Sequence, residues 1–148
     1  MKPTDFLASI RQMIKYHESM LKDICEDYQL SLIEANIISF LYNNPGKDTA
    51  GDIVELRMLS KGNVSKAVEE LIQKSLLSRT PDTADRRKIH LALRPEARPI
   101  TDRIKKMKQE YDREIFQGLS EEEIRQFYAL SQRIKENAQE AMKRRENK

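Results

Sequence analysis

Between Thr49 and Leu93 the apolar spacing passes from the three-to-four period of helices to the alternation of a strand, with no linker between. Few architectures accommodate that order. A short helix, a tight turn and a longer helix must share one core with a two-stranded hairpin attached directly to them. Thr49 and Asp52 can cap the first helix, which is expected to end near Arg57, and Ser60 can cap the second. The second helix presents Val64, Ala67, Val68, Leu71 and Ile72 on one face, and "MLS" (residues 58–60) is the turn between the two. Beyond it, Ile89, Leu91 and Leu93 alternate with Lys88, His90 and Ala92 as in a half-buried strand. Leu77 and Arg79 fall on the partner strand, and Pro81, Asp82, Thr83 and Asp85 supply turn chemistry.

The flanks read as helix. Phe6, Leu7, Ile10, Met13, Ile14, His17, Leu21, Ile24 and Tyr28 mark one long amphipathic helix over residues 4–28. Ser31 and Glu34 form a capping-box pattern that opens a second, very apolar helix, which Pro45 and Gly46 end. Ile100, Ile104, Met107, Tyr111 and Ile115 make a further stripe, closed by Gly118. Ser120 and Glu123 repeat the capping box before Ile124, Phe127, Tyr128, Ser131, Ile134, Ala138, Ala141 and Met142. Neither C-terminal stripe is well placed to be buried on the middle of its own chain, so the long terminal helices are expected to join two copies. With 148 residues the chain is expected to be one domain, mainly α with a small β-hairpin.

A formal charge of +3 is too small to announce a nucleic-acid partner, so any such signal lies in where the charge sits. Cys25 is the one cysteine, which fits a reducing compartment, and a cytoplasmic location is expected. No membrane association is expected, since no apolar run approaches a membrane span, and Lys2, Asp5 and Arg11 interrupt any leader-like core. No catalytic constellation, Gly-rich phosphate loop or metal-ligand spacing stands out, so neither enzymatic activity nor a cofactor or metal is expected. His17 lies on an apolar stripe and reads as a core or pocket-wall residue, His90 as a plain surface residue, and Cys25 as a small buried one.

Two clusters point to DNA. Ser60, Lys61, Asn63, Ser65 and Lys66 crowd the first turns of the second helix of the pair. Asparagine suits a bidentate contact with adenine, lysine suits guanine or phosphate, and the free amides of a helix start favour a phosphate oxygen. The hairpin carries Arg79 on its first strand and Arg86, Arg87 and Lys88 at its tip, the charge pattern suited to a narrow minor groove. Asp85, two residues before Arg87, is placed to orient its guanidinium. The competing reading is a helix pair and hairpin that serve as a protein-interaction module.

With these elements in order, the chain resembles the MarR family of transcriptional regulators over nearly its whole length. The most specific part is "SKGNVSKAVEELIQKSLLSRTPDTADRRKIHLAL", in which Asn63-Val64-Ser65-Lys66 fits the start of the family's recognition helix and Asp85-Arg86-Arg87 its Asp-x-Arg wing. The resemblance implies one domain over residues 1–148, with a winged-helix part at about 30–95 and dimerisation helices at about 4–28 and 99–145. It also implies a homodimer on double-stranded DNA with an approximate inverted repeat, and repression modulated by a small-molecule effector whose site is unknown. Ser75 stands where the family has a glycine, and Arg94 and Ala97 where it has a threonine and a glycine. Pro95 and Pro99 crowd the next helix start, where Pro99 removes a hydrogen bond if that helix begins at Pro95.

Overall fold

The computed structural model describes residues 2–57 and 59–147. In chain order the elements are α1 (Pro3–Tyr28), α2 (Leu32–Asn43), α3 (Ala50–Arg57), α4 (Lys61–Gln73), β1 (Leu77–Pro81), β2 (Ile89–Leu93), a short 3-10 turn (Pro95–Ala97), α5 (Arg98–Ile115) and α6 (Glu121–Glu146). Met58, in the turn expected between the paired helices, lies outside the described residues. The chain divides into two compact units, Met1–Tyr111 and Asp112–Lys148.

The first unit is built around α2. Its mid-section, Ala35, Ile37, Ile38 and Phe40, is buried, and α1 and α4 pack on it. Leu21, Ile24 and Cys25 contribute from the second half of α1, Ile53 from α3, and Val64, Ala67, Val68 and Leu71 from α4. The first half of α1 is different, because Phe6, Leu7, Ile10 and Ile14 on the same stripe are exposed. Farther along α1, His17 is half-buried, with its ring edge-on to Tyr111 at 5.3 Å, while Tyr16 stacks on that tyrosine at 5.7 Å. The environment of His17 is therefore aromatic.

The capping boxes form at both expected helix starts. Ser31 and Ser120 accept the backbone N–H of Glu34 and Glu123, and each glutamate accepts the N–H of its serine. Glu34 does more than cap. It is fully buried at 1% exposure, and Lys74 at the end of α4 donates to both of its carboxylate oxygens at 2.9 and 3.0 Å. Lys74 also donates to the Gln29 carbonyl at the end of α1, so one ammonium ties three helix ends together.

After α4 the chain turns at Ser75, whose φ of 62° lies in the left-handed region that glycine enters without strain. The Leu76 N–H bonds back to the Leu71 carbonyl there, which closes the helix. Replacing Ser75 with glycine is expected to stabilise the protein by roughly 0.5–1 kcal/mol, because relief of the Cβ strain exceeds the entropy cost of glycine. A urea midpoint that stays put or falls refutes this. The proline-rich start of α5 is accommodated by splitting the turn. Pro95 opens the 3-10 segment and α5 begins at Arg98, which puts Pro99 in a first turn where no intrahelical N–H partner is required.

The hairpin pairs Leu77 with Leu93, Arg79 with Leu91 and Pro81 with Ile89. Leu77 and Leu91 are buried, but Ile89 is 44% exposed, contrary to the alternation expected from sequence. The ladder runs outward from the core, and its last rung lies beyond the core's edge. On the free side of β2, Thr49 forms an isolated antiparallel bridge with His90, and the Leu91 N–H donates to the Asp48 carbonyl at 2.8 Å. The segment before α3 thus acts as a short third strand that anchors the hairpin to the helices.

In the second unit, Phe116, Phe127 and Tyr128 form a cluster of edge-on rings 5.5 to 5.6 Å apart. No residue of α6 is buried.

Candidate nucleic-acid interface

The start of α4 follows from its cap and its stripe. Ser60 accepts the Asn63 N–H at 3.2 Å, so its hydroxyl is already engaged in ending the helix. Val64, Ala67, Val68 and Leu71 take the inner face, and that rotation leaves Lys61, Asn63, Ser65 and Lys66 in solvent. Among the described residues neither lysine makes an ion pair, so both charges are available to a ligand.

The wing is more ordered than a plain basic loop. Asp82 closes an Asx turn, with one carboxylate oxygen accepting the N–H of Ala84 at 2.9 Å and of Asp85 at 2.8 Å. The Asp82 N–H donates to the Lys88 carbonyl and the Lys88 N–H to the Asp85 carbonyl, both at 3.0 Å. Asp85 accepts the Arg87 N–H at 3.0 Å and its Nε at 3.3 Å. Arg87 is otherwise free in solvent, at 92% side-chain exposure, and Arg86 and Lys88 are exposed beside it. The sequence assigned orientation to Asp85, yet Asp82 organises the turn in which Asp85 sits.

Arg79 stands apart from the other proposed contacts. Its guanidinium is paired with Glu69 on α4, which ties β1 to that helix and largely neutralises the charge. Glu69 lies 10 residues before Arg79 in the sequence. The helix–hairpin packing brings the two together.

His90 also corrects the sequence reading. It is half-buried, with Nδ1 2.7 Å from Asp48 and Nε2 2.7 Å from Asp82. The hydrogen bond to Asp82, reinforced by that to Asp48, raises its pKa above the ordinary histidine range. The same bond to His90, followed by the Asp85 and Ala84 amides, holds Asp82 down to about 2. Strand alternation could place His90 off the core face but could not show Asp48 approaching from 42 positions earlier.

Cys25 is buried, and burial, then the Glu34 carboxylate, raises its thiol pKa, which disfavours the reactive thiolate. Among the described residues no cluster of His, Cys, Asp and Glu is arranged to hold a metal ion, and no helix is long and apolar enough to cross a membrane.

Residues 28–88, from the end of α1 to the wing tip, match the MarR family model. Over that stretch the chain is similar to the MarR family. YsmB of Bacillus subtilis, an uncharacterised HTH-type transcriptional regulator, is 25% identical to this chain over 127 residues, 83% of this chain and 86% of that protein. S. aureus MepR in its DNA-binding conformation superimposes with a TM-score of 0.80 at 19% identity, over 90% of this chain and 98% of MepR. In its complex with DNA, MepR gives a TM-score of 0.69 at 18% identity, over 93% and 98% of the two chains. Bordetella bronchiseptica BpsR, whose DNA binding is regulated by 6-hydroxynicotinic acid, gives 0.67 at 21% identity, over 88% and 98%. These likenesses show a winged-helix fold, with α3 and α4 as its helix pair and the β1–β2 hairpin as its wing.

Proposed function

We propose that this protein is a dimeric, sequence-specific DNA-binding transcriptional regulator of the MarR family. It acts as a cytoplasmic repressor whose grip on DNA a small-molecule effector modulates, and it is not an enzyme. The observation that carries the reading is the set of exposed cations without ion pairs at the start of α4, together with the arginine-tipped wing. The relatives support it, since YsmB is an HTH-type regulator, MepR binds DNA, and BpsR responds to a small molecule.

The residues divide by task. Asn63 and Ser65 read base edges in the major groove, while Lys61 and Lys66 hold phosphates and, for Lys66, guanine. Arg86 and Arg87 enter the minor groove, with Asp85 orienting Arg87 and Lys88 on the backbone beside them. Ser60 contributes as the helix cap, and Arg79 through its hold on α4.

Selection of duplexes from a random pool by the purified protein tests this. The selected sequences are expected to share an approximate inverted repeat with A·T-rich positions under the wings. Arg87→Ala should weaken binding to that repeat and make its salt dependence shallower, with stability changed by less than about 0.5 kcal/mol. Asn63→Ala should relax discrimination at particular base pairs by about 1–3 kcal/mol. Absence of any salt-sensitive binding removes the regulator reading and leaves the protein-interaction module.

A further inference from the structure

We propose that His90 is a positioning residue for the wing: doubly protonated, it bridges Asp48 and Asp82 and so holds the arginine-bearing turn against the α2–α3 loop, and loss of one proton opens that bridge. The inference rests on the DNA-binding reading for its functional half and on geometry alone for its structural half.

Both ring nitrogens face a carboxylate oxygen at 2.7 Å. A neutral imidazole has one N–H and one lone pair, so it can serve only one of two ionised carboxylates, and the other contact becomes repulsive. The observed arrangement is that of an imidazolium donating twice. From Asp82 the hydrogen bonds continue without a gap. Its second oxygen holds the Ala84 and Asp85 amides, and Asp85 in turn holds Arg87. A single chain of contacts therefore runs from Asp48 through His90 and Asp82 to the wing arginine.

The surroundings offer no substitute for the proton. Thr49 and Thr80, paired with His90 from either side, are uncharged. Lys47 and Lys88 are exposed, and neither is ion-paired to these aspartates. On α3, Asp52 accepts the Thr49 N–H and Arg57 lies over Phe40, while Glu34 of α2 is bound to Lys74. The two carboxylates are thus left to His90.

The sign follows from the raised pKa. The bridge is complete below the ordinary histidine value of about 6.5 and is lost as pH rises through the higher value in the folded protein. Wing order, and with it DNA affinity, declines in that direction.

Two measurements test this from about pH 5 to about pH 10. In the DNA-free protein, NMR should show the His90 ring titrating above its ordinary value, with the amides of Ala84, Asp85 and Arg87 shifting at the same midpoint. Asp82→Asn, which keeps an oxygen for the Asx turn, should lower that midpoint. A His90 that titrates at the ordinary value, or wing amides that stay still while it titrates, overturns the bridge. Fluorescence anisotropy then uses the duplex that the protein selects from a random pool at about pH 6. Wild-type affinity should weaken several-fold as His90 deprotonates, and His90→Asn should lose that step. A His90→Asn variant that keeps the wild-type step overturns the positioning role. If no duplex is selected at any pH, the regulator reading and the affinity half fall together, while the NMR result still decides the bridge.

Discussion

Replacing Lys74 with methionine is expected to destabilise the protein by about 2–4 kcal/mol, more than any single substitution in the wing or at the start of α4. The reason is asymmetry of burial. The Glu34 side chain is 2% exposed whereas that of Lys74 is 39% exposed, so removing the lysine strands a carboxylate that water cannot reach. The Ser31 N–H, at 2.8 Å, would be its one remaining hydrogen-bond partner among the described residues. Methionine preserves the apolar stem of the lysine, which confines the loss to the charge and its three hydrogen bonds. Adding Glu34→Gln should recover a large part of the stability, since a neutral amide still accepts from Ser31 and costs less to bury. A urea denaturation cycle over the two single variants and the double measures the coupling. Additive effects, or a Lys74→Met loss below about 0.5 kcal/mol, would show that the pair does not hold the helix ends.

That ion pair shows where sequence reasoning stops. Ser31 and Glu34 were legible as a capping box because the signal is local, three residues apart. Lys74 lies 40 positions further on, and nothing in its neighbourhood distinguishes it from a solvated lysine. The same division runs through the interface. Helix starts, the stripe of α4 and the Asp85–Arg87 relation depend on residues within a turn of one another, and the sequence displays them. Arg79 with Glu69, and His90 with Asp48, are set by how α4, the hairpin and the α2–α3 loop pack, so they surface only in three dimensions. Ile89 illustrates a third limit, because strict alternation identifies a face but not where the core beneath it ends.

Charged substitution on the terminal helices should have the largest functional effect. Along α1, Phe6, Leu7, Ile10 and Ile14 are exposed, and along α6 so are Phe127, Tyr128, Leu130, Ile134 and Met142. Apolar surface in that quantity on two long helices is characteristic of an interface. The DNA reading also requires a partner copy, because one α4 offers too few base contacts for useful specificity. Two of them related by a two-fold axis would meet successive major grooves about 34 Å apart. Ile10 is 39% exposed and Ile134 53% exposed in the single chain, so Ile10→Glu or Ile134→Glu should leave each chain folded. In a dimer, an unpaired carboxylate buried at the interface costs about 3–5 kcal/mol, enough to weaken association by roughly two to four orders of magnitude. Light scattering at micromolar concentration should show twice the 17.4 kDa chain mass for the wild type and the single mass for the variants, with operator binding lost in parallel. Because the two helices are tested separately, a variant that stays dimeric would exclude its own helix from the interface. A wild-type monomer that still bound one site tightly would defeat the dimer model altogether.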